Sequence, residues 1–153
     1  MQNRISIGID LLYDSELLLE VPLDLTSQRF FRSLGGTFEG PKIRGKFLPG
    51  GSDLMTMLPD GTGALDYRHC LETDNGALIM TVGAGRIYLP DDVGAELSGG
   101  TVLADIDPTR YYFRFSADFR TGDDRYSWLN RVTAVGGGRA VANGIALTAY
   151  QVT

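Results

Sequence analysis

The sequence predicts an all-β protein, a single closed antiparallel barrel of about eight strands, on three observations. Short segments rich in aromatic and β-branched residues recur between turn signals, which is typical of strands at barrel or sandwich spacing. Glycine accounts for 20 of the 153 residues, nearly twice its average share of about 7%, and indicates many tight turns. Segments with helical periodicity are nearly absent. We therefore expect residues 1–153 to form one β-barrel domain.

Turn residues divide the chain into segments with the composition of strands. Pro59-Asp60-Gly61 and Asp74-Asn75-Gly76 predict two hairpin turns, since Asn-Gly accepts the positive φ angles that such turns require. Asn143-Gly144 predicts a third turn, and Gly136-Gly137-Gly138 predicts a bend or bulge. Pro90 to Gly100 has no clear period and is expected to be a loop or a short helix. The expected strands are Arg4 to Ile9, Glu16 to Pro22, Ile43 to Leu48, Leu54 to Leu58, Leu65 to Thr73, Ala77 to Val82, Tyr111 to Phe119, Leu129 to Val135 and Ile145 to Val152.

Closure of the sheet into a barrel is favoured over an open sheet. A run of hairpins leaves a free edge at each end, and closure pairs both edges with each other. A barrel of about eight strands has an interior that is either filled by side chains or holds one small ligand. The diameter of the barrel therefore limits any interior site to the size of one small ligand.

The composition excludes several classes of partner. The net charge is −5 and no cluster of Lys and Arg is visible, which disfavours nucleic acid and acidic membranes. Cys70 is the only cysteine, so no disulfide can form within the chain. The residues from Met1 to Gly8 lack the uninterrupted apolar core of a secretory signal, and we expect a cytoplasmic protein. For the oligomeric state, we consider a homodimer.

The strand from Leu65 to Glu72 alternates between an apolar and a polar face. Asp66 and Arg68 share the polar face with Cys70 and Glu72, because successive side chains point to opposite sides of a sheet. One interpretation is that this face meets solvent as a salt-bridged surface. The other is that it lines the lumen, where Asp66 would be a general base and Arg68 the partner of an oxyanion or carboxylate.

The strand from Tyr111 to Phe119 has an aromatic face and a polar face. Phe113 and Phe115 lie on the aromatic face, which is expected to pack in the core, and Tyr112 and Arg114 lie on the polar face. Neither face identifies a known catalytic arrangement.

Several catalytic arrangements and cofactors are excluded by what the sequence contains. His69 is the only histidine, which leaves little for a histidine metal site or a Ser-His-Asp arrangement. Ser52 does not lie in a Gly-x-Ser-x-Gly elbow. Gly83-Ala84-Gly85 lacks the third glycine of a dinucleotide site, and no phosphate-binding loop that ends in Gly-Lys-Ser/Thr occurs. We expect no metal and no cofactor, so carboxylates, arginines and tyrosines would carry any chemistry.

A long glycine-rich stretch, Gly35 to Asp53, closely resembles the signature of the domain-of-unknown-function 3237 family. Later blocks follow in the same order, and the resemblance extends from about Arg29 to the C-terminus. These blocks are Pro59-Asp60-Gly61, Leu65 to Arg68, Leu71 to Ala77, Tyr112-Phe113-Arg114 and Thr121 to Asn130. The resemblance implies an antiparallel barrel of the kind also seen in allene oxide cyclase and dirigent proteins.

The resemblance also marks several polar residues as candidates for a site. The stretch from Gly83 to Asp107 departs most from the family, so we expect it to determine which substrate is bound. Barrels of this kind act without cofactors on apolar small molecules, so the first hypothesis is a cofactor-independent isomerase, cyclase or lyase. Its substrate would be a hydrophobic carbonyl-containing metabolite. The expected catalytic residues are Asp66, Glu39, Arg68 and Arg44, and the expected substrate-binding residues are Asp53, Tyr112, Arg114, Tyr126, Trp128 and Asn130.

Two alternatives stay open beside the enzyme. One is a non-catalytic carrier for an apolar small ligand, and the other is an interaction protein with a solidly packed barrel. The cavity distinguishes them, because convergent charged groups in an open lumen favour an enzyme and an apolar lumen favours a carrier.

Overall fold

The computed structural model describes residues 2–153. Strands dominate it, together with a short helix α1 (Asp91–Ser98) and three 3₁₀ segments (Leu103–Asp105, Pro108–Arg110 and Asp124–Arg131). The strands are β1 (Ile9–Leu19), β2 (Leu23–Asp24), β3 (Gln28–Glu39), β4 (Arg44–Phe47), β5 (Ser52–Met57), β6 (Gly63–Thr73), β7 (Leu78–Tyr88), β8 (Tyr112–Arg120), β9 (Thr133–Val141) and β10 (Gly144–Val152).

The sheet closes into an antiparallel barrel of eight strand positions. From β6 to β10 each strand pairs with the next, β10 pairs with β1, and β1 pairs with β3. The short strands β4 and β5 both lie between β3 and β6 and share one position. The predicted fold class is confirmed.

The three predicted turns fall between strands. The turn at Pro59-Asp60-Gly61 joins β5 to β6, and Asp74-Asn75-Gly76 joins β6 to β7. Asn143, with a φ of 60°, precedes β10. A loop or a short helix was expected from Pro90 to Gly100, and the structure has the short helix α1 there.

The structure differs from the predicted elements at several places. Gln28–Glu39 was not predicted and forms the long strand β3, in which Gly35 has a φ of 103° and shifts the register near Ser33. Residues 4–8 lie outside β1. Residues 129–131 belong to a 3₁₀ segment rather than to a strand.

The glycines of β9 are a strand interior and not the predicted bend. A Cβ on Gly136 would lie 2.4 Å from the Phe115 ring, and one on Gly138 would lie 2.8 Å from the Phe113 ring. The same arrangement recurs at Gly83, where the Tyr67 hydroxyl occupies the place of a side chain at 2.4 Å. Inward aromatic rings therefore lie across the glycines of the neighbouring strand, which compensates for the missing side chains.

The two ends of the barrel are closed by different segments. The Asp124–Arg131 segment closes one end, which we call the sealed end, where Leu129 is fully buried in the main core with Ile79 and Phe119. Residues 89–111, which we call the cap, cover the other end, which we call the capped end. There Val93 and Ile106 form a second cluster. None of the helices within residues 2–153 has the length and apolar character needed to cross a bilayer.

Candidate functional site

The lumen contains a buried pair of a carboxylate and an imidazole. Asp53 lies on β5 and His69 on β6, both on the inward face, with residue exposures of 7% and 3%. The His69 Nε2 atom lies 2.9 Å from the Asp53 Oδ1 atom. Charged residues are almost never fully buried unless they are paired. A packed apolar core does not require such a pair, so these two residues are the first candidates for a functional site in the interior.

Two polar atoms beside this pair have no hydrogen-bond partner among residues 2–153. They are His69 Nδ1 and the Thr81 hydroxyl oxygen. Thr81 lies directly opposite His69 in the register of β6 and β7. A buried polar atom without a partner costs about 1–3 kcal/mol, so two such atoms at one place need an explanation.

The position of Gly51 indicates which imidazole nitrogen carries the proton. A Cβ on Gly51 would lie 2.2 Å from His69 Nδ1, so this nitrogen faces the backbone of the barrel wall. A proton on Nδ1 would be a buried donor with nothing to accept it, whereas a proton on Nε2 is donated to Asp53. We therefore assign the neutral Nε2–H form to His69, which leaves the negative charge of the pair on the Asp53 carboxylate.

Two tyrosines complete the polar part of the lumen. The Tyr67 hydroxyl donates to the backbone carbonyl of Ser116 at 2.6 Å. Burial raises the pKa of Tyr67, with a smaller contribution from the negative charge of Asp53, and burial raises the pKa of Tyr13. Both hydroxyls therefore stay protonated at neutral pH and can act only as neutral donors or acceptors.

A small cavity of about 30 Å³ lies at this pair. It is lined by Asp53, His69 and Thr81 together with both tyrosines and apolar residues that include Phe47 and Phe115. A cavity needs about 10–15 Å³ of such volume for each water molecule, so this space has room for only two or three waters. A metabolite does not fit without a widening of the lumen.

The arrangement can move protons. A carboxylate held by a neutral imidazole is a base, and the hydroxyl of Thr81 is a hydrogen-bond donor beside it. Within residues 2–153 no three side chains of His, Cys, Asp or Glu come together as a metal site would need.

Asp66 and Arg68 lie on the outer wall. Both side chains are exposed, while Tyr67 and His69 between and beside them point inward. The polar face of β6 thus meets solvent, as the first interpretation expected, although neither Asp66 nor Arg68 makes an ion pair within residues 2–153. The interpretation that placed this face in the lumen is wrong. The physical reason is the alternation itself, because the apolar face with His69 packs against the core.

Glu39 and Arg44 also lie outside the lumen. They are exposed cross-strand neighbours of β3 and β4, and Arg44 Nε is 2.8 Å from a carboxylate oxygen of Asp74. Both line a polar concavity of about 1000 Å³ on the outer wall. Its charged groups are solvated, whereas the interior cavity has a buried, paired carboxylate and two buried polar atoms without a partner among residues 2–153.

The predicted substrate-binding residues are scattered, and only Asp53 lies in the lumen. Tyr112 is exposed on β8, with the Arg114 guanidinium 5.3 Å above its ring. Trp128 packs at the sealed end, with Lys42 Nζ 5.6 Å from its ring. The other two have structural bonds: the Tyr126 hydroxyl binds Asn75 at 3.0 Å, and Asn130 bonds the backbone of Thr121.

Sequence reasoning missed His69, Thr81 and Tyr67. A signal was present, because His69 shares the otherwise apolar face of its strand with Tyr67 and Leu71, and the inward face of a barrel strand is the apolar one. No signal pointed to Thr81, whose interest comes from its place opposite His69.

The fold and the interior define a class of protein, a closed antiparallel barrel with a carboxylate and an imidazole buried in an aromatic lumen. The chain belongs to the family of proteins of unknown function designated DUF3237, whose model matches residues 11–152. This confirms the resemblance seen in the sequence.

Individual proteins are similar over most of the chain. A protein of Rhodopseudomonas palustris (strain TIE-1) called "UPF0311 protein" is 31% identical over 125 residues, which cover 82% of this chain and 80% of that protein. The crystal structure of a β-barrel-like protein from Acinetobacter baumannii AYE is 31% identical, with a TM-score of 0.82 over 100% of both chains. The structure of an enzyme from Penicillium herquei, 21% identical with a TM-score of 0.73 over 100% of both chains, shares the fold.

Proposed function

We propose that the protein is a cofactor-independent acid–base enzyme, an isomerase, cyclase or lyase that acts on a small hydrophobic carbonyl metabolite inside the barrel. The observation that carries this proposal is the buried pair of Asp53 and His69. The Nδ1 atom of this His69 and the neighbouring Thr81 hydroxyl have no hydrogen-bond partner among residues 2–153. Apolar residues of similar volume would often be as stable at such a place or more so. Perturbed and unsatisfied groups of this kind concentrate at functional sites.

The carboxylate of Asp53 is the base of the proposed reaction. It removes a proton from the carbon next to the substrate carbonyl, and the electron pair of that C–H bond moves toward the carbonyl oxygen. The Thr81 hydroxyl, which lacks a partner, donates a hydrogen bond to this oxygen as its charge grows.

The intermediate then has three outcomes within the proposed class. Return of the proton to a different carbon is an isomerisation, departure of a group from the neighbouring carbon is an elimination, and attack on an electrophile in the same molecule closes a ring. None of the three needs an electron acceptor or donor, so the atoms and electrons balance without a cofactor.

His69 is a positioning residue in this scheme. Its Nε2–H holds one oxygen of Asp53 at 2.9 Å, which leaves the other oxygen for the substrate. The Tyr67 and Phe47 rings, centred 5.9 Å and 6.0 Å from the imidazole, restrict its movement. Removal of His69 is therefore expected to lower the rate by loss of orientation rather than by loss of the base.

Entry of the substrate requires the lumen to widen, because the cavity of about 30 Å³ has room only for water. The apolar residues that separate it from the cap, Leu65 and Leu147, are half-buried and also contact the second core cluster. Opening of the cap would therefore expose the cavity, in the way that lids admit substrate in other enzymes.

The experiment is an exchange of substrate protons with deuterated solvent. The protein is incubated in D₂O with a panel of aromatic, terpenoid and polyketide-like carbonyl compounds that raise its melting temperature, and deuterium uptake and new products are measured by mass spectrometry. We expect uptake with the wild type, a fall of at least about 100-fold in Asp53→Asn, and a smaller fall in His69→Gln. Asp124→Asn is the matched control, since Asp124 is an exposed carboxylate at the sealed end.

Other results would overturn the proposal. Ligands that stabilise the protein without deuterium uptake or product would support the carrier. Loss of uptake in Asp66→Asn with retention in Asp53→Asn would move the base to the outer wall. Circular dichroism and melting curves of each variant separate a lost fold from a lost base.

A further inference from the structure

Residues 2–8, which we call the arm, extend beyond the barrel at the sealed end with their apolar side chains in solvent. Ile5 is 93% exposed, Ile7 73% and Ile9, the first residue of β1, 55%. These positions alternate, so in an arm that continues β1 as an extended chain the three isoleucines lie on one side. Exposed apolar residues in a row are typical of a surface that another chain covers.

The backbone of the arm also has a free edge. Gly8 exchanges two hydrogen bonds of 2.9 Å with Thr153 and so continues the pairing of β1 with β10. On the other side of β1 the pairing with β3 begins only at Asp14, and Gly40 approaches the Leu12 carbonyl so closely that a Cβ would lie 1.8 Å from it. The edge from residue 2 to residue 11 is therefore open and ends at Leu12, and such edges add strands.

We propose that a second copy of this chain occupies this edge, with the two arms paired as antiparallel strands about a twofold axis at Ile7. In this register Ile7 faces Ile7 of the other copy, and Ile5 faces Ile9. Arg4 faces Asp10, so the pairing is complementary in charge as well as in apolarity. Both residues are exposed, and no bond to either side chain occurs among residues 2–153.

The hydrogen-bonding pattern selects the same register. Because the N–H and C=O of Gly8 point toward Thr153, those of Ile7 and Ile9 point to the open edge. An axis at Ile7 places residues 5, 7 and 9 opposite one another as hydrogen-bonded pairs. An axis at Ile9 would bring Ile5 of the partner to Tyr13, beyond the block at Gly40, and an axis at Ile5 would put Arg4 opposite Ser6 without charge complement.

A charge exchange tests the pairing. Sedimentation velocity of the wild type at up to about 100 µM is expected to show a dimer, since such a short ladder binds more weakly than a standard interface. Arg4→Asp and Asp10→Arg each place like charges opposite each other at two sites, which should weaken association by about tenfold. The double variant restores the pairs and should return to within about threefold of the wild type.

Cysteine cross-linking tests the register, in a Cys70→Ser background that removes the native thiol. Ile7→Cys places two sulfurs across the axis, where the Cα atoms of a hydrogen-bonded pair are about 5.5 Å apart and a disulfide can form. Ile5→Cys places them about 14 Å apart and should not cross-link. A wild type that stays monomeric, a double variant that is no better than the single ones, or equal cross-linking of both cysteine variants would overturn the proposal.

Discussion

At the sealed end, the Asp124–Arg131 segment is held by side-chain hydrogen bonds, whereas no side chain of residues 2–153 caps the N-terminus of α1 in the cap. Asn130 accepts from the Thr121 N–H at 2.8 Å and donates to its carbonyl at 2.9 Å. In the cap, Arg110 bonds Glu96 and Asp92, and these groups are in solvent. Exposed polar contacts contribute little at either end, so we expect the cap, whose helix lacks a side-chain cap at its N-terminus, to be the less firmly held of the two closures.

The interior cavity lies on the side of the weaker closure. Its upper wall includes Phe113, which also belongs to the cluster under the cap with Val93 and Ile106. Local stability in a protein ranges from near zero to the global value, and the parts that open for ligands come from the low end of that range. The difference between the ends therefore separates the part that maintains the barrel from the part that would admit a ligand.

The same truncation at each end measures this difference directly, and the largest change is expected at the sealed end. Leu129 is fully buried, so Leu129→Ala should lower the free energy of unfolding by about 3 kcal/mol through lost burial and a cavity. Leu103→Ala, in the half-buried part of the cap, should lower it by about 1 kcal/mol. Urea unfolding checks both values, and equal losses would remove the distinction between the ends.

Much of the barrel could be predicted from the sequence because its hairpins have local signals. The turn at Asn75-Gly76 and the alternation from Leu65 to Thr73 identify β6 and its partner without any tertiary information. The strand β3 is not predicted from the sequence because its two parts pair with different strands. Residues before Gly35 pair with β5 and residues after it pair with β4, on either side of the register shift. The glycines of β9 form a strand only because Phe113 and Phe115 of β8 cover them.

The site was predicted less well, for a physical reason. Charged residues such as Asp66 and Arg68 are chosen as catalytic candidates when only the sequence is known. In a narrow barrel, however, most charged side chains must face water. The interior pair depends on a contact between β5 and β6, with Asp53 and His69 separated by 16 positions in the chain. The sequence pattern placed His69 in a strand and Asp53 directly before one, whereas the contact between them follows from the register of β5 and β6.

A methyl group on Gly51 should disturb the site more than the fold. Its carbon would lie 2.2 Å from His69 Nδ1, so Gly51→Ala must displace the imidazole from Asp53, at an expected cost of about 2 kcal/mol. Because His69 is the only histidine, ¹⁵N-resolved NMR reads its ring directly. The wild type should show the neutral Nε2–H form, and the variant a changed ring environment.

Gly122→Ala is the control for this substitution, since no atom of the described residues 2–153 lies within 4 Å of its Cβ position. It should leave the imidazole signal and the melting temperature unchanged. A proton on Nδ1 in the wild type would contradict the assignment of the negative charge to Asp53.

The cap should loosen locally when its anchor is shortened. Val93 is fully buried in the cluster under the cap, so Val93→Ala should raise the hydrogen-exchange rate of amides in α1 by about tenfold, which corresponds to about 1.4 kcal/mol. Amides of β6 and β7 near the sealed end should keep their rates. If the whole barrel exchanged faster instead, the cap would be part of one cooperative unit with the core.

The smallest expected difference is in stability at low pH, and it compares one aspartate at each end of the barrel. Hydrogen bonds from Thr109 lower the pKa of Asp107 at the cap, and hydrogen bonds from Arg125 lower the pKa of Asp123 at the sealed end. A carboxylate with a lowered pKa stabilises the fold fully above its unfolded value of about 3.9, and this stabilisation is lost as the pH falls through the lowered pKa. The melting temperature of the wild type should therefore exceed that of Asp123→Asn by a constant small amount from about pH 7 to pH 5, and the gap should close below about pH 3. Asp107→Asn should change the hydrogen exchange of the cap amides with the same pH dependence, and it should lower the melting temperature by less than Asp123→Asn does, because the cap is expected to be the less firmly held closure. An equal drop in melting temperature for both variants would mean that the two closures unfold together.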